Sequence, residues 1–155
     1  MIPQAGKQAP LFVLPDQNGE EQSLERYLGQ WIILYFYPKD DTPGCTKEAC
    51  SFRDGYAELR KEGIIILGLS ADSVKKHLKF AEKFSLPFPL LADEEKKVVE
   101  RYGVWGKKKF MGREYLGIFR TTFLIDPNGV IAKVYEDVKP NDHANFILSN
   151  LKALK

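Results

Sequence analysis

Apolar residues fall along this chain first in unbroken runs and then at spaced intervals. Trp31 to Tyr37 (WIILYFY) is continuous, short, rich in β-branched and aromatic residues, and bounded by Gly29 and Pro38. Those cues predict a strand buried on both faces rather than a helix. Ile64 to Leu69 (IIILGL) repeats the pattern. Between the two, Cys50, Phe52, Tyr56, Ala57 and Leu59 recur at helical spacing until Gly63. After Ser70 to Ser73, the residues Val74, His77, Leu78, Ala81 and Phe84 mark another helix. Phe88 to Leu91 reads as a short extended segment, and Asp93 as the cap of a helix over Glu94 to Tyr102, stopped at Gly103. Toward the N-terminus, Phe12 to Leu14 is a strand candidate and Asp16 to Gly19 a turn. Ser23 caps a short helix that ends near Gly29.

The last third changes rhythm. Phe119 to Ile125 (FRTTFLI) and Val130 to Tyr135 (VIAKVY) flank Asp126-Pro127-Asn128-Gly129, a strong hairpin signal. A final helix starts near Asp142 and places Ala144, Ile147, Leu148 and Leu151 on one face. Strand, helix, strand, helix implies right-handed crossovers and a parallel sheet, to which the hairpin adds antiparallel strands. The expected architecture is α/β: a central mixed sheet flanked by helices, in an order that fits the thioredoxin-like arrangement with an N-terminal extension.

Composition narrows the class. The chain has 155 residues, which suits one domain over 1–155 with one full core. Hydrophobic residues at 44% and charged residues at 28% read as soluble and globular. A net charge of +2 argues against a dedicated nucleic-acid or membrane binder. Lys107-Lys108-Lys109 reads as a solvated loop rather than a phosphate-binding patch. No apolar stretch approaches the roughly 20 residues that span a bilayer. The first residues lack the apolar core of a secretory signal. The cytoplasm is therefore the expected compartment.

Only two cysteines occur, Cys45 and Cys50, both within TPGCTKEAC. They could be a structural clip, half of a metal site, or the working part of an enzyme. Pro43 is a good first-turn residue and Thr42 a good cap, so Cys45 falls in the first turn of a helix. Free backbone N–H groups and the helix dipole favour a thiolate there. A strand feeding a helix also places Cys45 at the carboxyl end of a parallel strand, where open α/β sheets bind ligands. On an intact helix the two cysteines lie about 140° apart around the axis, with Cα atoms roughly 8.7 Å apart. A disulfide needs Cα atoms within about 7 Å. The pair can bond only if the first turns unwind, which argues against a permanent clip. For zinc, only His77 and His143 remain as further ligands, and they lack paired spacing. Each reads as a surface or helix-face residue. No C-x-x-C is present.

At this point the residues resemble a known family. Pro38-Lys39-Asp40-Asp41-Thr42-Pro43-Gly44-Cys45 fits P-x-x-x-T-x-x-C, the active-site signature of peroxiredoxins. FYPKDDTPGCTKEAC resembles the Q-type, or bacterioferritin comigratory, subfamily, in which a resolving cysteine commonly lies five residues after the peroxidatic one. Arg120 to Asp126 (RTTFLID) is similar to the family's R-[ST]-T-F-[LV]-I-D strand. The resemblance covers roughly residues 4 to 153.

The resemblance implies a thiol peroxidase without a cofactor or metal. Cys45 would be the peroxidatic nucleophile and Cys50 the resolving thiol, closing an intramolecular disulfide. Thr42 would hydrogen-bond beside the thiolate and orient the peroxide, Arg120 would supply a fixed cation and help bind the substrate, Pro38 would shield the site, and the Gly44 and Cys45 N–H groups would bind peroxide. Glu48 would pair with Arg120 or Arg53, or else face solvent. Phe36, Phe84 and Trp105 could form an apolar collar, with Phe36 more suited to the core. The implied partners are hydrogen peroxide or an alkyl hydroperoxide and a dithiol reductant such as thioredoxin, acting on a monomer, with a dimer as the alternative. Oxidation would loosen Thr42 to about Arg53. A protein disulfide oxidoreductase and a non-catalytic redox sensor on the same fold are the competing readings.

Overall fold

The computed structural model describes residues 2–136 and 143–154. A five-stranded sheet runs through its centre in the order β5-β4-β3-β8-β9. Its strands are β3 (Trp31–Phe36), β4 (Ile64–Ser70), β5 (Leu90–Ala92), β8 (Thr121–Ile125) and β9 (Ile131–Tyr135). β3, β4 and β5 are parallel, whereas β8 lies antiparallel to β3 and β9 antiparallel to β8. The expected mixed sheet is therefore present, with β3 at its centre.

The unbroken apolar run of β3 follows from burial on both faces. Ile33, Tyr35 and Tyr37 join Ala49, Phe52, Phe80, Leu124 and Ile147 on one side of the sheet. Ile32, Leu34 and Phe36 join Leu67, Val99, Tyr102 and Phe123 on the other. Two helices and a third short one, α1 (Pro43–Asp54), α3 (Val74–Phe84) and α2 (Tyr56–Lys61), serve the first side together with α5 (His143–Leu154). The short α4 (Lys97–Arg101) and the N-terminal segment cover the second. That segment carries the two-stranded β1 (Val13–Pro15) and β2 (Glu21–Ser23). It is stitched to the β9 edge, where Gly6 N–H donates to Ile131 and Ile131 N–H to Lys7. An edge strand covered in this way offers less unpaired backbone to another chain.

Several sequence expectations shift. Ser23 does cap the next turn, accepting from Arg26 N–H at 3.3 Å, but Leu24–Tyr27 is a 3-10 turn. The helix expected through Leu59 breaks at Gly55 into α1 and α2. A Cβ at Gly55 would sit 3.0 Å from the Ala144 Cβ, so α5 approaches too closely for a larger residue there. Asp93 caps from further back than expected. Its carboxylate accepts from Val98 and Val99 N–H, each at 2.9 Å, and the helix starts at Lys97 rather than Glu94. The expected helix start near Asp142 lies outside the described residues.

The largest correction concerns the lysine run. Lys107–Lys109 is not a loop but part of β6 (Trp105–Phe110), paired in an antiparallel hairpin with β7 (Arg113–Ile118). Gly106 allows this hairpin to dock, since a Cβ there would lie 2.8 Å from the Phe119 ring.

Gly68 plays the same role inside the sheet. A Cβ at Gly68 would meet Leu90 Cδ2 and the Tyr35 ring and hydroxyl, each at 3.0 Å. Gly68→Ala is expected to lower stability by about 1–3 kcal/mol through overpacking. Urea unfolding would read this as a lower midpoint, and an unchanged or higher midpoint would contradict the packing described.

Candidate active site

Strand β3 ends at Phe36, and the chain crosses residues 37–42 before entering α1 at Pro43. Thr42 is the N-cap residue in extended conformation, and Thr46 N–H makes the first helical bond to the Thr42 carbonyl at 2.8 Å. Cys45 thus lies in the first turn, as the spacing predicted. The first N–H groups of a helix have no acceptor within it. Thr42 does not supply one, because its side chain makes no cap bond. Its hydroxyl instead donates to the Lys39 carbonyl at 2.8 Å, within the turn that leads into α1. The Gly44 and Cys45 N–H groups lie in this first turn, at the positive end of the helix dipole.

Arg120 reaches the same place from the other direction. Antiparallel pairing sets Phe36 opposite Thr121. Arg120, just before β8, therefore emerges at the carboxyl end of β3, where the chain turns into α1. Its Nη2 donates to Cys45 Sγ at 3.3 Å and its Nη1 to Glu48 Oε1 at 2.8 Å. Cys45 and Glu48 are one helical turn apart, which puts them on one face of α1. Glu48, left open between two arginines and solvent, is fully buried and pairs with Arg120. Arg53 bonds Asp54 and the Phe84 carbonyl instead.

The electrostatics of this triad follow from burial. Loss of water pushes the Glu48 carboxyl up, Arg120 pulls it back, and the balance lies at about 7. Burial wins because Glu48 Oε2 is one of three buried side-chain oxygens without a hydrogen-bond partner among the described residues. The others are Tyr35 Oη and Tyr135 Oη. Burial also works against the Arg120 charge, but Cys45 and Glu48 outweigh it and hold the guanidinium above its ordinary value. His143 is pushed down to about 4, by burial first and by Arg120 second, so it is neutral near pH 7.

Neither histidine is a surface residue. His143 Nε2 lies 3.0 Å from Thr122 Oγ1, and His77 is fully buried against Asp40. Periodicity placed His77 on the helix face but could not say that a carboxylate 37 positions away awaits it. Tyr35 was also missed as a site residue. It packs in the same core as Cys45, and its hydroxyl is pushed well above its ordinary value by burial, then by the Glu48 and Cys45 charges. Its only sequence signal is a phenol inside a doubly buried strand.

Two clefts flank Pro38. One, of about 500 Å³, is lined by Pro38, Lys108, Phe119 and Arg120. The other, of about 360 Å³, is lined by Pro38, Lys39, Lys96, Trp105 and Tyr115. Cys45 is 1% exposed, so the Arg120 guanidinium links the first cleft to the sulfur. Lys108 points inward and donates to the Ile118 carbonyl at 2.9 Å. Of the proposed collar, Phe36 is in the core, Phe84 packs against the Cys45 side, and Trp105 lines the second cleft under Lys96. Cys50 is half-buried, and both cysteines are free thiols.

Comparisons with known proteins give the chain's relatives. The model of the AhpC/TSA family matches residues 5–134. The Escherichia coli (strain K12) protein named peroxiredoxin Bcp is 50% identical over 96% of this chain and 95% of its own length. Bacillus subtilis (strain 168) peroxiredoxin Bcp is 48% identical over 98% and 97%. The solved structure of the Xanthomonas campestris bacterioferritin comigratory protein, described for its alkyl peroxide reduction activity, superposes with a TM-score of 0.87. It shares 36% identity over 99% of this chain and 97% of that one.

The buried carboxyl gives a pH signature. With a native value near 7 against an ordinary 4.5, Glu48 holds its proton more tightly in the folded state. The matching stability is complete below about pH 4.5 and is lost as pH rises through about 7. Glu48→Gln should remove that loss, on the order of 1–3 kcal/mol between the two limits. Urea midpoints of both proteins across this range test it, and a wild-type-minus-variant difference that stays flat would contradict it.

Proposed function

The chain belongs to the AhpC/TSA family, and within it to the Q-type, bacterioferritin comigratory, peroxiredoxins, and from that membership and the Arg120–Cys45 contact we propose that Cys45 is its peroxidatic nucleophile. As a peroxiredoxin it is a thiol peroxidase, reducing peroxides with electrons from a thiol reductant.

The Cys45 thiolate attacks one oxygen of the O–O bond. That bond breaks, the sulfur gains the oxygen as a sulfenic acid, and the other oxygen leaves as water or an alcohol after taking a proton. The observation that carries this reading is the guanidinium fixed 3.3 Å from the sulfur. A fixed cation this close can stabilise negative charge that develops on the reacting atoms. The Gly44 and Cys45 N–H groups orient the peroxide, Pro38 screens the site between the two clefts, and Thr42 shapes the turn into α1 through its bond to Lys39.

Cys50 then resolves the sulfenic acid. Its thiol displaces water and forms the Cys45–Cys50 disulfide, which requires the first turns of α1 to unwind. A dithiol of the thioredoxin type returns both thiols through a mixed disulfide. Hydrogen peroxide and alkyl hydroperoxides are the substrates in this reading. The chain, 1–155, works as one domain and as a monomer in the cytoplasm, in antioxidant defence. Matches to bacterial relatives over 96% and 98% of this chain and 95% and 97% of their own lengths support the single domain. Among the described residues no helix is long and apolar enough to cross a membrane.

Peroxide consumption with a thioredoxin system separates this reading from a disulfide oxidoreductase or a sensor. Cys45→Ser should consume no peroxide, whereas Cys50→Ser should react once and stall as a sulfenic acid. A fully active Cys45→Ser would overturn the assignment.

A further inference from the structure

Residues 37–42 carry the reactive turn, and a buried network that none of the roles above uses ties down their first half. Tyr37 N–H extends the β3–β4 pairing by donating to the Leu69 carbonyl at 3.1 Å. Tyr37 Oη donates to Asp40 Oδ1 at 2.5 Å. Asp40 Oδ2 lies 2.6 Å from His77 Nδ1. Asp40 N–H donates to Asp72 Oδ2 at 2.8 Å, and that oxygen also accepts from Ser70 Oγ at 2.7 Å. His77 Nε2 lies 3.0 Å from the Leu91 carbonyl, and a carbonyl only accepts, so this nitrogen carries a proton. Donor atoms of Asp40, Asp72 and His77 lie within 4.8 Å of one another, a spacing that a metal ion could use. Both ring nitrogens are already engaged, however, and the cluster is bonded to itself.

One residue later the character changes. Asp41 is exposed and its backbone is left-handed, with φ 55°. Among the described residues its side-chain partner is Lys83 at 2.8 Å, an ion pair with both side chains about half in water. Such pairs contribute little, whereas buried hydrogen bonds to charged groups are the strong ones. The tethers along this loop therefore drop from strong to weak between Asp40 and Asp41.

We infer that Asp40 and His77 are positioning residues: they form a fixed post that holds Tyr37–Asp40 on the sheet and α3 while the chain from Thr42 to Cys50 unwinds and refolds. This inference rests on the reading of Cys45 and Cys50 as peroxidatic and resolving thiols. The disulfide requires α1 to open, and a segment opens as far as its anchors are weak. The post stops the opening at Asp41, three residues after Pro38 and two before the helix start. It also returns Cys45 to Arg120 in the reduced protein, so the reacting sulfur is placed before peroxide arrives.

Two measurements test the post. In the first, single-turnover stopped flow separates the second-order peroxide step from the first-order disulfide step in wild type, Asp40→Ala and Asp40→Asn. Asp40→Ala should slow the peroxide step about tenfold or more through lost positioning. It should not slow the disulfide step. Asn can accept from Tyr37 and donate to a neutral His77, so Asp40→Asn should recover to within about threefold of wild type. Unchanged rates in folded Asp40→Ala would overturn the inference, as would an Asp40→Asn as slow as Asp40→Ala. The second measurement needs no variant. Hydrogen exchange in the wild-type disulfide form should keep the Tyr37 and Asp40 N–H groups protected, while Thr46 to Cys50 lose protection. Loss across both stretches would overturn the inference even if Asp40→Ala fails to fold. A wild type with no peroxide step would instead sink the underlying reading of Cys45.

Discussion

One guanidinium bonds a thiol and a carboxylate on the same face of one helix, and the rest of the site depends on that bridge. Arg120 brings a charge into a region where Glu48 is fully buried and Cys45 nearly so. A buried cation persists only if paired and hydrogen-bonded. Here the partners are Glu48 Oε1 and Cys45 Sγ. The fold delivers the arginine because β8 runs antiparallel to β3 and starts where β3 ends. The same point is where α1 begins, so strand order and helix start converge on one sulfur.

This bridge also bears on the movement that resolution demands. Glu48 lies between the two cysteines, within the stretch that must unwind. In the reduced protein Arg120 holds that stretch at two positions. In the proposed reaction, oxidation to a sulfenic acid adds an oxygen at one of them, the sulfur that Arg120 Nη2 contacts. Glu48 is then left buried with one oxygen already unpartnered, an arrangement favoured less than a solvated carboxylate. The chemical step thereby weakens the contact that kept the resolving thiol out of reach. Asp40 and His77 set where that loosening stops, because their bonds do not involve the sulfur.

Much of this was legible in the chain. Continuous apolar runs gave β3 and β4, because a strand covered on both faces needs no polar alternation. Asp126-Pro127-Asn128-Gly129 marked the β8–β9 hairpin, and Pro43 marked the helix start that holds Cys45. An arginine beside the apolar TTFLI pointed to a buried charge. Other features carry no local signal. Three lysines on β6 hide the strand period, and the glycines that let Phe119 and Lys108 lie over the hairpin act through contacts elsewhere. The break at Gly55 is set by the approach of α5, nearly ninety positions later. The Asp40–His77 pair is a tertiary contact between a loop and a helix face, and neither residue's spacing announces the other.

The central claim is that Arg120 both activates Cys45 and pins the helix start. The most direct test is the peroxide reaction of Arg120→Gln, followed in one stopped-flow trace with disulfide formation. The account predicts a peroxide step slower by about a hundredfold or more, as when a fixed charge at a developing oxyanion is removed. It also predicts a disulfide step as fast as wild type or faster. A peroxide step within about threefold of wild type would contradict the account, since electrostatic removal on that scale leaves no such residue of rate.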